Sequence, residues 1–138
     1  MPQTFTLDPA TDIRNQNGAP AWFELVTPDP DGARDFLSAT FGWGFVPYAA
    51  YPGYHVAEVQ GHGVGGVRGP MPDEPDPGPR WVTFVTVDDA DATVAAAQEA
   101  GAQVVMPPTD MEGVGRMTIY SHPASGMMYV MQYTQPFG

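Results

Sequence analysis

Two stretches decide the fold: WFELVTPDPDGARDFLSATFGWGFVP from Trp22 to Pro47, and WVTFVTVDDADATVAAAQEAGAQVVMP from Trp81 to Pro107. Each opens on Trp and a strand-like run, turns at acidic residues, crosses a helix-compatible segment to a Gly, and enters a second strand near a Pro. Such self-similarity marks a duplicated structural unit. In the first copy Trp22–Thr27 suits a strand, and Asp29 can cap a helix over Pro30–Thr40, with Pro in the first turn, where its missing N–H costs nothing. Gly42 then ends that helix. Phe36, Leu37 and Phe41 fall at helical spacing and are expected to bury one side against a sheet. In the second copy Val82–Val87 is the strand, Asp88 or Asp89 the cap, and Ala90–Ala100 an alanine-rich helix closed by Gly101.

Working outward, each helix is followed by three short strand-like pieces. They are Trp43–Tyr48, Tyr54–Gln60 and Gly63–Val67, then Gln103–Met106, Arg116–Ser121 and Met127–Tyr133. Both units therefore read β-α-β-β-β. Between them RGPMPDEPDPGPR, with five prolines, reads as a semi-rigid exposed connector. The organisation expected is one domain over 1–138, with an extension at 1–17 holding Phe5, Leu7 and Ile13. Module one then spans 18–68, the connector 69–80, and module two 81–135. One βαβββ unit cannot cover its own sheet. Two are expected to pair, giving an α+β fold with a cupped eight-stranded mixed sheet around a central cavity.

Composition narrows the partners. Sixteen Asp and Glu against five Arg and no Lys give a formal net charge of -11, and the Arg residues are scattered singly. Nucleic acid and anionic lipid, which need clustered cations, are not expected partners. An acidic shell favours a neutral or cationic small ligand. The absence of Cys removes disulfides, thiol nucleophiles and Cys-based metal sites. No apolar run is long enough for a membrane helix and the first residues lack a signal-peptide pattern, so a cytoplasmic location is expected. Ser38, Ser121 and Ser125 show no spacing of a Ser-His-Asp set.

The duplicated βαβββ pattern, the helix entry TPDPDGARDFLSATFGW and the closing SHPASGMMYVMQ together resemble the vicinal oxygen chelate superfamily, which includes glyoxalases, bleomycin resistance proteins and extradiol dioxygenases. The resemblance runs from about Pro20 to Gln135 and implies a homodimer. The closing stretch departs from the family's Asp-Pro-x-Gly turn by placing His122 for the Asp and one extra residue before Gly126. In metal-dependent members, the resemblance implies, four inward His, Glu or Gln side chains on the first and fourth strands of each module hold a divalent ion. Matched to this sequence, those positions fall at Trp22, at Val82 (or Trp81 with a one-residue slip), at Val130, and at Val64, Gly65 or Gly66. None of these side chains offers a lone pair suited to such a metal, so neither a metal nor another cofactor is expected. A site rebuilt from His55, His62 or His122 stays open as an alternative.

With Trp22 inward, alternation places Glu24 and Val26 inward too, and Phe23 and Leu25 against the helix. The same count turns Phe84, Thr86, Met128, Val130 and Gln132 inward. The expected ligand-binding set is Trp22, Glu24, Val82, Phe84, Thr86, Arg116, Met128, Val130 and Gln132, an apolar and aromatic lining with a few polar handles. Glu24 among apolar neighbours is the candidate general acid or base. Its alternatives are an ion pair with Arg80 or Arg116, or exposure in the opposite register. Two readings follow: a metal-independent protein that binds a hydrophobic or aromatic small molecule for resistance or sequestration, and a metal-independent lyase, isomerase or hydroxylase-like enzyme acting on a secondary metabolite through Glu24.

Overall fold

A computed structural model describes residues 12–138. Phe5 and Leu7 of the extension lie outside the described residues, whereas Ile13 sits in a short 3₁₀ turn, Ile13–Asn15, with its side chain exposed. The described residues form two compact units, 22–84 and 85–138, the second joined by residues 12–21.

The first module runs β1 (Pro20–Val26), α1 (Pro30–Phe41), β2 (Gly44–Pro47), β3 (His55–Val59) and β4 (His62–Arg68). The second runs β5 (Arg80–Thr86), α2 (Ala90–Glu99), β6 (Gln103–Met111), β7 (Gly115–His122) and β8 (Gly126–Tyr133). The βαβββ pattern read twice from the sequence is thus present twice, with mixed strand sense and an α+β class. Strands of the first unit pair in the order β2-β3-β4-β1-β5, and those of the second in the order β8-β7-β6. Within the first, β1 and β4 are parallel, with Glu24 opposite Gly66 and Val26 opposite Arg68.

Local chemistry sets the helix ends. The Asp29 carboxylate accepts from the Gly32 amide and the Asp89 carboxylate from the Ala92 amide, each satisfying a donor that the helix cannot. Gly42 closes α1 at φ 70°, a left-handed conformation that a side chain would strain. Strand β6 runs past its expected end at Met106 through Pro107 and Pro108. It does so as the outermost strand of its unit, where a missing N–H leaves no partner short, and its register against β7 shifts there.

The core under α1 is Leu25, Leu37 and Val67, with Ala33, Trp43 and Phe45 packed against it. Phe36 and Phe41 depart from expectation, each being 65% exposed. Ala33 and Leu37, four apart, form the stripe that meets the sheet. Phe36 lies about 100° round the helix from Leu37, and Phe41, at the last helical position, turns its ring to Trp43 at 5.3 Å. Phe23 also differs: it shares a strand face with Leu25, yet it lies outside the helix's cover and is 51% exposed.

Candidate functional site

Strand alternation sends Trp22 and Glu24 to the face of β1 opposite Phe23 and Leu25. There Glu24, buried, is held at both oxygens. The Tyr54 hydroxyl donates to Oε1 at 2.6 Å and Arg68 Nε donates to Oε2 at 2.7 Å. The Trp22 indole N–H donates in turn to the Tyr54 oxygen at 2.8 Å. Arg68 then reaches the connector, where its Nη1 and Nη2 donate to the two oxygens of Glu74 at 2.6 and 3.0 Å. Glu74 also meets Arg80 at 3.2 Å. The result is a chain of alternating charge, Glu24, Arg68, Glu74, Arg80, running from β1 through β4 and the connector to β5. Buried ions survive only when paired and hydrogen-bonded in this way.

Two ionisations follow from that geometry. Burial, then the charge and hydrogen bond of Glu24, push the Tyr54 hydroxyl well above the ordinary phenol range, so it remains a neutral donor. For Arg68, burial alone would lower the pKa. The hydrogen bond to Glu74 and the charge of Glu24 outweigh it, and the guanidinium is held charged more firmly than usual.

Gly66 makes the arrangement possible. It faces Glu24 across the β1–β4 pair, and a Cβ there would overlap the Tyr54 hydroxyl. The strand position from which a ligating side chain would project is a glycine, and the space above it belongs to Tyr54. These residues do not fit a metal: Glu24 is engaged at both oxygens, Trp22 offers an indole N–H, and Gly66 offers nothing. Among the described residues no three His, Cys, Asp or Glu side chains come together in a way that could hold an ion. His55 lies against Arg34 at 3.2 Å, and His122 Nδ1 accepts from the Ala124 amide at 3.0 Å.

Of the other expected residues, Val82 and Phe84 are buried on the β5 face opposite Trp81, in the same unit as Trp22 and Glu24. Glu24 pairs with Arg68 and with neither of the arginines expected; Arg80 is two links further along the chain of charges. In the second unit several positions are corrected. Val130 packs with Val87 and Ala90, and Gln132 Oε1 accepts from the Ala90 amide at 2.9 Å, capping α2. Arg116 lies opposite Gln132 and binds Asp91 of α2 at 2.7 Å and Asp110 at 2.9 Å. Met128 shares their face by alternation. Arg116, Met128, Val130 and Gln132 therefore lie on the α2 side of β7 and β8, with Val130 buried beneath that helix. The cause is register: His122 pairs with Gly126, and counting one residue off along a strand exchanges its two faces. Tyr129 and Met131 take the opposite side, both buried. Thr86 spends its hydroxyl on the Arg14 carbonyl at 2.6 Å.

Sequence reasoning missed Tyr54, Arg68 and Glu74. Arg68 was within reach, since it sits two residues past Gly66 on one strand face. Tyr54 and Glu74 come from loops, where no periodicity assigns direction. The connector itself is less exposed than its composition suggests, because Glu74 is buried and also accepts from the Met71 amide at 2.9 Å.

The fold and site define a duplicated βαβββ protein whose metal-ligand positions hold non-ligating residues. The family model for the glyoxalase/bleomycin resistance protein/dioxygenase superfamily matches residues 19–138, and the chain belongs to that superfamily. It is 33% identical over 128 residues to CFP32 of Mycobacterium tuberculosis, covering 89% of this chain and 49% of the relative. It is also 33% identical over 128 residues to the anthracycline biosynthesis protein DnrV of Streptomyces peucetius, covering 82% and 46%. The chain thus spans about half the length of these relatives. Among solved structures, a Mn(II)-bound glyoxalase from Novosphingobium aromaticivorans aligns with TM-score 0.56 at 20% identity, covering 83% of this chain and 38% of that one. Methylmalonyl-CoA epimerase from Mycobacterium tuberculosis aligns with TM-score 0.56 at 15% identity, covering 87% and 93%. At these identities the two structures speak for the fold.

Proposed function

We propose that the chain is a metal-independent small-molecule-binding protein of the glyoxalase/bleomycin-resistance type. It holds a hydrophobic or aromatic ligand, neutral or cationic, against the face carrying Trp22, Val82 and Phe84, and serves resistance or sequestration. The observation that carries this reading is the engagement of both Glu24 oxygens, by Tyr54 and by Arg68. A divalent ion could claim Glu24 only by stripping it from a buried partner, which is costly. Binding then rests on contact and stacking, and the net charge of -11 disfavours anions. The name of the relative DnrV agrees with a secondary metabolite as the ligand class. In this reading the chain acts as one domain, pairs as a homodimer in the cytoplasm, and has no nucleic-acid or membrane partner.

The test is titration of the purified protein with aromatic metabolites, following tryptophan fluorescence and product formation together, alongside metal analysis of protein prepared without chelators. Saturable quenching without turnover, with no stoichiometric metal, is the expected result. Near-stoichiometric Zn, Ni, Fe or Mn would overturn it. The Tyr54 hydroxyl resting on a buried carboxylate favours a second reading, a metal-independent enzyme in which Glu24 acts as general acid or base. Turnover that Glu24→Gln abolishes while ligand binding persists would establish that reading and sink simple sequestration.

A further inference from the structure

The face of the first unit that carries α1 holds a feature that the Trp22 face does not explain. Beside the helix, a groove of about 340 Å³ is bounded by Phe23, Trp43, Ala57, Val64 and Trp81, and β4 backbone at Gly65 and Gly66 lies along it, Gly66 being the residue whose other side meets Tyr54. Three of these side chains are large, apolar and open to solvent: Phe23 at 51%, Val64 at 41% and Trp81 at 53%. Scattered exposed apolar residues are ordinary, but a contiguous concave set is not. The rings of Trp43 and Trp81 stand 6.2 Å apart at 89°, making a corner of two indole surfaces. Phe41 packs on Trp43 at 5.3 Å with the ring planes tilted by 33°. Gly65 cannot be replaced by a larger residue, since a Cβ there would meet the Phe23 carbonyl oxygen at 2.6 Å. That leaves a flat stretch of backbone next to the aromatic corner.

We infer that this groove is a second binding site, which takes a planar aromatic cation of two or three fused rings. Its volume lies near the lower end of the range for small-molecule clefts, about 300–1,000 Å³. A flat stretch with an aromatic corner suits a thin rigid ring system better than a branched aliphatic one. The charge follows from two independent facts. Indole and phenyl faces attract cations, and the chain as a whole carries a net charge of -11 that repels anions and draws cations toward it. The site shares no side chain with the Trp22, Tyr54 and Glu24 set, because Phe23 and Trp81 point to the opposite faces of their strands. It stands whether or not the reading of that other face does.

Two tricyclic probes of similar size and opposite charge test it: 9-aminoacridine and anthracene-9-carboxylate, followed by probe fluorescence anisotropy against the full chain at about 0.15 M NaCl. The expected result is saturable binding of 9-aminoacridine at one site, with the carboxylate at least about tenfold weaker. Trp81→Ala should weaken the cation about tenfold, and Val64→Trp, which fills the groove, should abolish its binding. Both positions are exposed, and circular dichroism checks that each variant keeps its fold. Equal affinity for the two probes would overturn the charge assignment. Cation binding indifferent to both substitutions, whether through surface attraction or at the Trp22 face, would overturn the site. Sedimentation velocity closes the remaining route. If wild type is a dimer that Val64→Trp splits, while neither probe binds, the groove is an interface between copies and the inference fails.

Discussion

The two modules carry the same order of elements and solve the burial of polar groups in opposite ways. In the first, charge goes inside: Glu24, Arg68 and Glu74 are all buried, and each finds its partner there. In the second, the comparable cluster of Arg116, Asp91 and Asp110 stays at the surface, with the aspartates open to water, while Val130 and Ile119 fill the interior. The first module's helix leaves Phe36 and Phe41 exposed, whereas the second's is built on alanine. A duplicated scaffold thus tolerates either an ionic or an apolar filling. The cost of error differs greatly between them, since a buried ion stripped of its partner has no water to turn to.

The largest effect is expected from Arg68→Met, which removes the cation shared by two buried carboxylates. A loss of about 3–5 kcal/mol in urea unfolding would mark the charge chain as indispensable, and a loss under about 1 kcal/mol would show that water reaches it. Next comes Gly66→Ala, whose methyl must displace the Tyr54 hydroxyl. Overpacking of this kind costs about 1–3 kcal/mol, and the Tyr54 displacement should also change Trp22 emission through the lost hydrogen bond. Val130→Ala probes the other module, where removing methyls from the contact with α2 should cost about 2 kcal/mol in the same assay. A negligible cost would mean that Val130 faces open space after all.

The smallest effect belongs to Arg116→Ala. The Arg116 hydrogen bond holds the Asp91 carboxyl below the usual carboxylate range. A carboxylate with a depressed folded pKa adds stability above its unfolded pKa and loses it as pH falls through the folded value. The variant should therefore differ slightly from wild type near neutrality, and the difference should fade on acidification below the ordinary Asp range. Thermal unfolding from pH 7 down to pH 2 reads it directly. A gap that widens toward low pH would contradict the pairing.

The fold was legible because it is written in repeats and punctuation. Asp29 before Pro30, Asp89 before Ala90, and glycines after both helices fix the two helices within a residue or two. Among the residues matched to the family's ligand positions, Trp22, Gly65 and Gly66 are non-ligating whichever way their strands face. Side-chain direction was harder. On β1 the strand leads directly into the helix entry, and alternation puts Glu24 on the face opposite Leu25, where Tyr54 and Arg68 meet it. On β8 the count started from a turn with an extra residue, so Val130 and Gln132 were assigned to the wrong face. The partners of Glu24 were illegible for a different reason. Tyr54 and Glu74 reach it from irregular segments, where the sequence holds no period to extrapolate.

The connector between the modules has a practical consequence. By composition it is the obvious place to cut the chain, yet Glu74 pins its middle to Arg68 and Arg80, and Arg80 donates to the Pro75 carbonyl at 2.6 Å. A protease must draw several residues into an extended strand within its own cleft, and this segment can supply them only after its buried carboxylate has been pulled out. Cleavage there should report opening of the charge chain rather than loop exposure, which makes limited proteolysis a gauge of the first module's integrity.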